Sequence, residues 1–218
     1  MKGLLIKDCK LLKQQGRFYL IVLLLAVMML ISGSKSYASF VTSYMTFLVA
    51  VFSFTTFSLD EYDNGMSFLM TLPAGRRMYV KEKYIFSILL LISGWLMAVL
   101  LRFTFITFRF SMQDWMEDAP TEPIYLLLAL IFISCSIPCF IKFGVEKGRM
   151  GAMLAVAAIL FGFYSLDKIG IARPFFRLLE QMMTSSVWSM VGILLIISLL
   201  ILLISYLCSL KLIEKKEF

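Results

Sequence analysis

Six runs of apolar residues, at 18–32, 37–59, 84–108, 124–141, 150–166 and 187–210, alternate with short polar stretches. Crossing about 30 Å of hydrocarbon takes roughly 20 apolar residues in a helix. Only helices and closed barrels satisfy every backbone polar group in that medium. The runs therefore predict an all-α integral membrane protein with six transmembrane helices. With 61% hydrophobic and 16% charged residues, the chain carries more apolar surface than a water-soluble domain can hide. The first run is short, and Gly33-Ser34-Lys35-Ser36 after it predicts a tight hairpin. A single transmembrane domain over 1–218 is expected, with spans one and two in 18–59, a polar loop in 60–83, spans three to six in 84–210 and a tail at 211–218.

Orientation follows from the basic residues, which accumulate in cytoplasmic segments. Segment 1–17 holds Lys2, Lys7, Lys10, Lys13 and Arg17; the 60–83 loop holds Arg76, Arg77, Lys81 and Lys83; 142–149 holds Lys142, Lys147 and Arg149; the tail holds Lys211, Lys215 and Lys216. The other side keeps only Lys35, Arg102, Arg109, Lys168, Arg173 and Arg177. Six spans put both termini on one side, and this excess makes it the cytoplasm. The net charge of +7 is thus a topology signal, and no nucleic-acid partner is expected.

Several chemistries lose ground. The chain has no histidine, the usual acid/base group near neutral pH and the commonest metal ligand. Cys9, Cys135, Cys139 and Cys208 lie in or beside apolar runs. Cys135 and Cys139 share a helical face with no histidine or acid beside them, so apolar packing is favoured over metal binding. No catalytic, cofactor or metal residue is assigned. The six spans contain no Asp, Glu or Lys and only Arg102, which is expected to snorkel outward. A gradient-driven pump needs such groups inside its spans. No G-x-x-x-x-G-K-[ST] phosphate loop is present either. Any active transport must draw its energy from another chain.

Residues 1–17 predict an amphipathic interfacial helix, with Lys7, Lys10, Lys13 and Arg17 on one side and Leu5, Cys9 and Leu12 on the other. A signal-peptide n-region is the alternative. In the 60–83 loop, Asp60, Glu61 and Asp63 precede an apolar patch of Met66, Phe68, Leu69, Met70 and Leu72, which Pro73 closes. Carboxylates favour a helix N-terminus, and Met66, Leu69 and Met70 fall at i, i+3 and i+4. This predicts a short helix with an adhesive face, suited to a groove on another protein; packing against its own span ends is the alternative. On the opposite side, 109–123 gathers Asp114, Glu117, Asp118 and Glu122 around Trp115, predicting an acidic aqueous loop. Residues 167–186 mix Phe175, Phe176, Leu178 and Met182 with Arg173, Arg177 and Glu180, predicting a re-entrant or interfacial element.

Three stretches carry a family resemblance: the start MKGLLIKDCKLL; D-E-x-x-x-G from Asp60 followed by L-P-x-x-R-x-x-Y-V-x-x-K through Lys83; and K-F-G-x-E-K-G-R at Lys142 to Arg149. With them the whole chain resembles the small bacterial type-2 ABC transporter permeases, including the permease subunits of the phenol-soluble modulin exporters. The resemblance implies a homodimer in the bacterial cytoplasmic membrane, with a separate cytoplasmic ATPase subunit on each copy holding ATP and Mg. It makes 1–17 the elbow helix and 62–72, with Asp63, Met66, Phe68, Leu69, Met70 and Leu72, the coupling helix. The small residues Gly148, Gly151, Ala152, Ala155, Ala158 and Gly162 of span five are candidates for the dimer contact, since small side chains let helices approach, with intramolecular packing as the alternative. Phe103, Phe105 and Phe108 are candidates for the path of an amphipathic or hydrophobic cargo such as a peptide, with lipid-facing or core roles as the alternative. An ATP-independent channel and a scaffold or immunity membrane protein are the competing functions.

Overall fold

The computed structural model describes residues 2–31, 35–61, 65–66, 69, 75–109, 119–168 and 187–215, and over 152–168 the backbone alone. Among them only Gln15, Ser53, Phe54 and Gly75 lie outside helical segments, and there is no strand. The helices are α1 (Lys2–Gln14), α2 (Gly16–Ile31), α3 (Lys35–Phe52), α4 (Thr55–Glu61), α5 (Arg76–Arg109), α6 (Glu122–Lys168) and α7 (Val187–Lys215), with one 3-10 turn at Ala119–Thr121.

Four helical stretches are long and apolar enough to cross a membrane: Ser39–Glu61, Arg76–Thr107, Ala119–Val145 and Val187–Lys215. Helices α1 and α2, bent by 62°, make a fifth if taken as one broken span. Helix α2, which covers most of the expected first span at 18–32, has only 16 residues, fewer than the roughly 20 a straight crossing needs. The remaining expected span, the fifth at 150–166, lies almost wholly in the stretch described by backbone alone. The expected re-entrant element at 167–186 lies almost entirely outside the described residues.

The expected loop at 142–149 is helical on both sides of one residue. Gly144 has φ 77° and ψ 176°, a region open essentially to glycine. The chain reverses there. A Cβ on Gly148 would lie 3.0 Å from Phe140 Cα, whereas residues eight apart in a straight helix are about 12 Å apart along its axis. A Cβ on Gly151 would likewise meet the Phe143 ring at 3.9 Å. The two halves of α6 therefore fold sharply back on one another at Gly144, with no loop between them.

Burial follows the inverted pattern of a membrane bundle. On α2, Val22, Ala26 and Leu30 turn inward while Leu20, Ile21, Leu24 and Met28 are exposed. Helix α7 buries Ser198, Ser205 and Ser209 and exposes Leu199, Leu200, Leu203 and Ile204. The inward serines find partners: Tyr84 Oη is 2.5 Å from Ser205 Oγ and 2.9 Å from Ser209 Oγ, and Ser205 donates to the Ser134 carbonyl. In lipid, polar contacts and close packing hold helices together, because apolar side chains gain little by leaving the acyl chains. Close approach is most acute at Gly94 of α5, where a Cβ would stand 2.7 Å from Val49 of α3.

Two apolar clusters fill the interior. One joins Val22, Ala26, Val41, Met45, Phe52, Ala98 and Ile106 of α2, α3 and α5. The other runs through Phe54, Phe57, Tyr79, Tyr84, Ile137, Phe140, Val145 and Ile213. This second cluster lies under the polar end of the bundle.

Candidate functional site

One end of the bundle gathers α1, the end of α4, the start of α5, the reversal in α6 and the last turn of α7. Charged residues flanking the 62–74 segment make each of these connections. Asp60, near the end of α4, accepts from Lys7 of α1, from Tyr79 Oη at 3.1 Å and from Lys83 at 2.7 Å. Its neighbour Glu61 points to α6 instead: the Val145 amide donates to Glu61 Oε2 at 2.7 Å. That amide opens the helix after the Gly144 break, where a carboxylate satisfies a free N–H and complements the dipole. After the segment, Arg77 Nε donates to Glu214 Oε1 at 2.6 Å and Arg76 Nη1 to the Glu214 carbonyl at 3.1 Å. These last bonds are exposed and hold α7 weakly.

Lys83 is the centre of the buried part. It is fully shielded from solvent and donates to Asp8 Oδ2 at 2.6 Å, to Asp60 and to Thr56 Oγ1 at 3.1 Å. An ammonium has three protons, so the three contacts use them all. Its charge also lies 5.1 Å from the Phe57 ring centre and 5.4 Å from that of Tyr79, a favourable placement for a desolvated cation. Lys7 bridges the same two acids, standing 3.2 Å from Asp8 Oδ1 while bonding Asp60.

This corrects the sequence reading of α1 in one place. Lys7, placed towards the headgroups, is part-buried in the ion pairs, while Cys9 is exposed. The inward face is Leu4 with Asp8. Asp8 was not singled out from the sequence. Its signal is that it is the sole acid in the basic segment 1–17.

The predicted patch is described only in part. Met66 is buried in the cluster with Phe57, Tyr79 and Val145, and Leu69 is half-buried against it. Gly65 precedes them at a point where a Cβ would meet the Asp60 carbonyl oxygen at 2.9 Å. Asp63, Phe68, Met70 and Leu72 lie outside the described residues. Of the small-residue stripe, Gly148 is buried and Gly151 half-buried against the preceding half of α6; the side chains of Ala152, Ala155, Ala158 and Gly162 are outside the description. Phe103 and Phe105 are half-buried, with Phe105 packed on the α2–α3–α5 cluster, and the Phe108 side chain is outside it.

Arg102 departs from expectation. It does not snorkel: the side chain is fully buried and pairs with Glu122, whose carbonyl also accepts from Trp95 Nε1 at 3.0 Å. Glu122 was assigned to an aqueous loop but is itself buried. Asp114, Glu117 and Asp118 of that loop lie outside the described residues. Among the described residues no group of three or more potential ligands is placed to hold a metal ion.

Charged residues on both sides of 62–74 thus tie its flanks to α1, α6 and α7. A family model described as ABC-2 family transporter protein matches residues 3–214. The chain belongs to that family. ABC-2 proteins are membrane components of ABC transporters, and the chain is a multi-pass permease-type member of the group. No curated protein and no solved structure matches it.

Proposed function

We propose that this ABC-2 protein is the permease subunit of an exporter in the bacterial cytoplasmic membrane. Two copies work with two separate ATPase subunits to move amphipathic or hydrophobic cargo, most simply peptides. The observation carrying this reading is the double tether of 62–74: Asp60 and Glu61 before it, and Arg76, Arg77 and Lys83 after it, bond to α1, α5, α6 and α7. A push on this segment therefore reaches all four helices. Ligand energy shifts a conformational equilibrium only through contacts that differ between states, and this segment is where ATP-driven closure of a partner would make them differ. Helix α1 and the last turn of α7 both reach this end, and the excess of basic residues supports its assignment to the cytoplasm.

The experiment is reconstitution. A tagged chain should co-purify with an ATP-binding subunit, and vesicles holding both should translocate a fluorescent amphipathic peptide only when ATP is added. Leu69→Asp, or Met70→Asp as a variant further along the patch, should reduce ATPase recovery while the chain still inserts. Transport without any ATPase would make the protein a channel; peptide binding without transport would make it a scaffold.

A further inference from the structure

The buried cluster at α1, α4 and α5 holds one acid more than it can pair. Lys7 and Lys83 face three carboxyl groups, Asp8, Asp60 and Glu82. Glu82 is fully shielded from solvent, and neither of its carboxyl oxygens has a hydrogen-bond partner among the described residues. Among the described residues, the donors placed on these acids are directed elsewhere. Lys83 serves Asp8, Asp60 and Thr56; Lys7 serves Asp60 and Asp8; Tyr79 Oη serves Asp60. Burial, and then the charge and hydrogen bonding of the Asp8 carboxyl, push Glu82 above the usual carboxylate range against the pull of Lys83 and Lys7. Asp8 Oδ1 has the Lys7 ammonium 3.2 Å away but accepts no hydrogen bond among the described residues.

Two carboxylates in contact repel, and an unpaired buried carboxylate takes up a proton rather than bear the cost of desolvation. We propose that Asp8 and Glu82 form a proton-binding site, sharing one proton that clamps α1 to the base of α5. Glu82 carries the proton and donates to Asp8 Oδ1. Lys83 donates to Asp8 Oδ2, which leaves Oδ1 as the acceptor for that proton. The bookkeeping of charge supports this: three carboxyl groups, two ammonium groups and one bound proton make the buried cluster neutral, whereas the unprotonated cluster carries one uncompensated negative charge.

Release of the proton to water changes no bond except Glu82 O–H. It leaves two anions in contact between α1 and α5 and weakens the hold of α1. The folded chain retains a proton that the unfolded chain has given up, so the clamp is strongest at low pH and fades as pH rises. The site lies beside the tethers of 62–74, which makes the clamp a brake on movement of that segment.

Infrared titration of the full chain in lipid nanodiscs tests the site directly, without transport or a partner. Near neutral pH the wild type should show a protonated-carboxyl C=O band that disappears as pH is raised. Glu82→Gln, which mimics the neutral acid, should lack the band and lose the part of the fall in melting temperature that the wild type shows between about pH 4.5 and about 8. Asp8→Asn should also lose the band, since Glu82 then ionises against the lysines. Absence of the band from the wild type overturns the proposal. So does its persistence in both variants, or an unchanged fall over that pH range in Glu82→Gln.

Discussion

Lys83 Nζ stands 2.6 Å from Asp8 Oδ2, with both side chains completely shielded from solvent. Seventy-five residues of chain separate the two. Between them run α2, the candidate span Ser39–Glu61 and the loop proposed to receive the ATPase, so this ion pair closes the N-terminal helix onto the far side of that loop. Removing one partner of such a pair leaves an uncompensated buried charge, at a cost of about 3–5 kcal/mol. Lys83→Met is therefore expected to destabilise the fold by roughly that amount, seen as an earlier midpoint in detergent-induced unfolding. An exposed control, Lys10→Met, should move the midpoint little.

Gly144 should tolerate no side chain. Its φ of 77° and ψ of 176° lie where non-glycine residues are strained by about 1–3 kcal/mol. A Cβ would in addition crowd Glu61 Oε1 at 3.0 Å. Gly144→Ala is expected to lower the melting temperature and to free the Glu61 carboxylate from the Val145 amide. Glu61→Gln, which keeps an acceptor oxygen but loses the charge at the helix start, should be milder, at about 0.3–1 kcal/mol. Thermal melts of the two variants in one detergent give the ranking.

The Arg102 and Glu122 pair should behave as a unit. Arg102→Met alone and Glu122→Leu alone each remove one charge of this buried ion pair, at a cost of about 3–5 kcal/mol. Arg102→Met combined with Glu122→Leu replaces the pair by apolar groups and should recover most of the loss. A double-mutant cycle on unfolding midpoints measures the coupling; additive costs would contradict it.

Lys7 gives a pH signature. Burial pulls its ammonium pKa down, but the hydrogen bond and charge of Asp60, with Asp8, outweigh this and hold it above its ordinary 10.5. A raised basic group contributes stability that is complete below its unfolded value and is lost as pH rises through the folded one. The Lys7 contribution should thus persist through neutral pH and disappear only in the alkaline range above 10.5. Lys7→Gln should flatten the part of the melting-temperature curve that falls above that pH.

The apolar runs, the amphipathic start and the acid and base clusters around 60–83 were legible in the order of residues, because span length and periodicity are local properties that a bilayer reads directly. The break between 141 and 150 was also visible as a charged interval, though not its reduction to one residue. That reduction depends on Phe140 and Gly148 coming into contact across Gly144, which no local pattern specifies.

Hydropathy by itself determined that this chain is helical, enters a membrane several times and carries no nucleotide loop of its own. Only the tertiary structure decided which charges are buried and with whom. Asp8, Lys83, Arg102 and Glu122 look like headgroup-facing, snorkelling or loop residues when judged by their neighbours in sequence, yet each is withdrawn from water beside a partner on another helix. A buried charge is tolerated only where an opposite charge meets it in space. The chain distance between those partners puts that pairing beyond the reach of sequence periodicity.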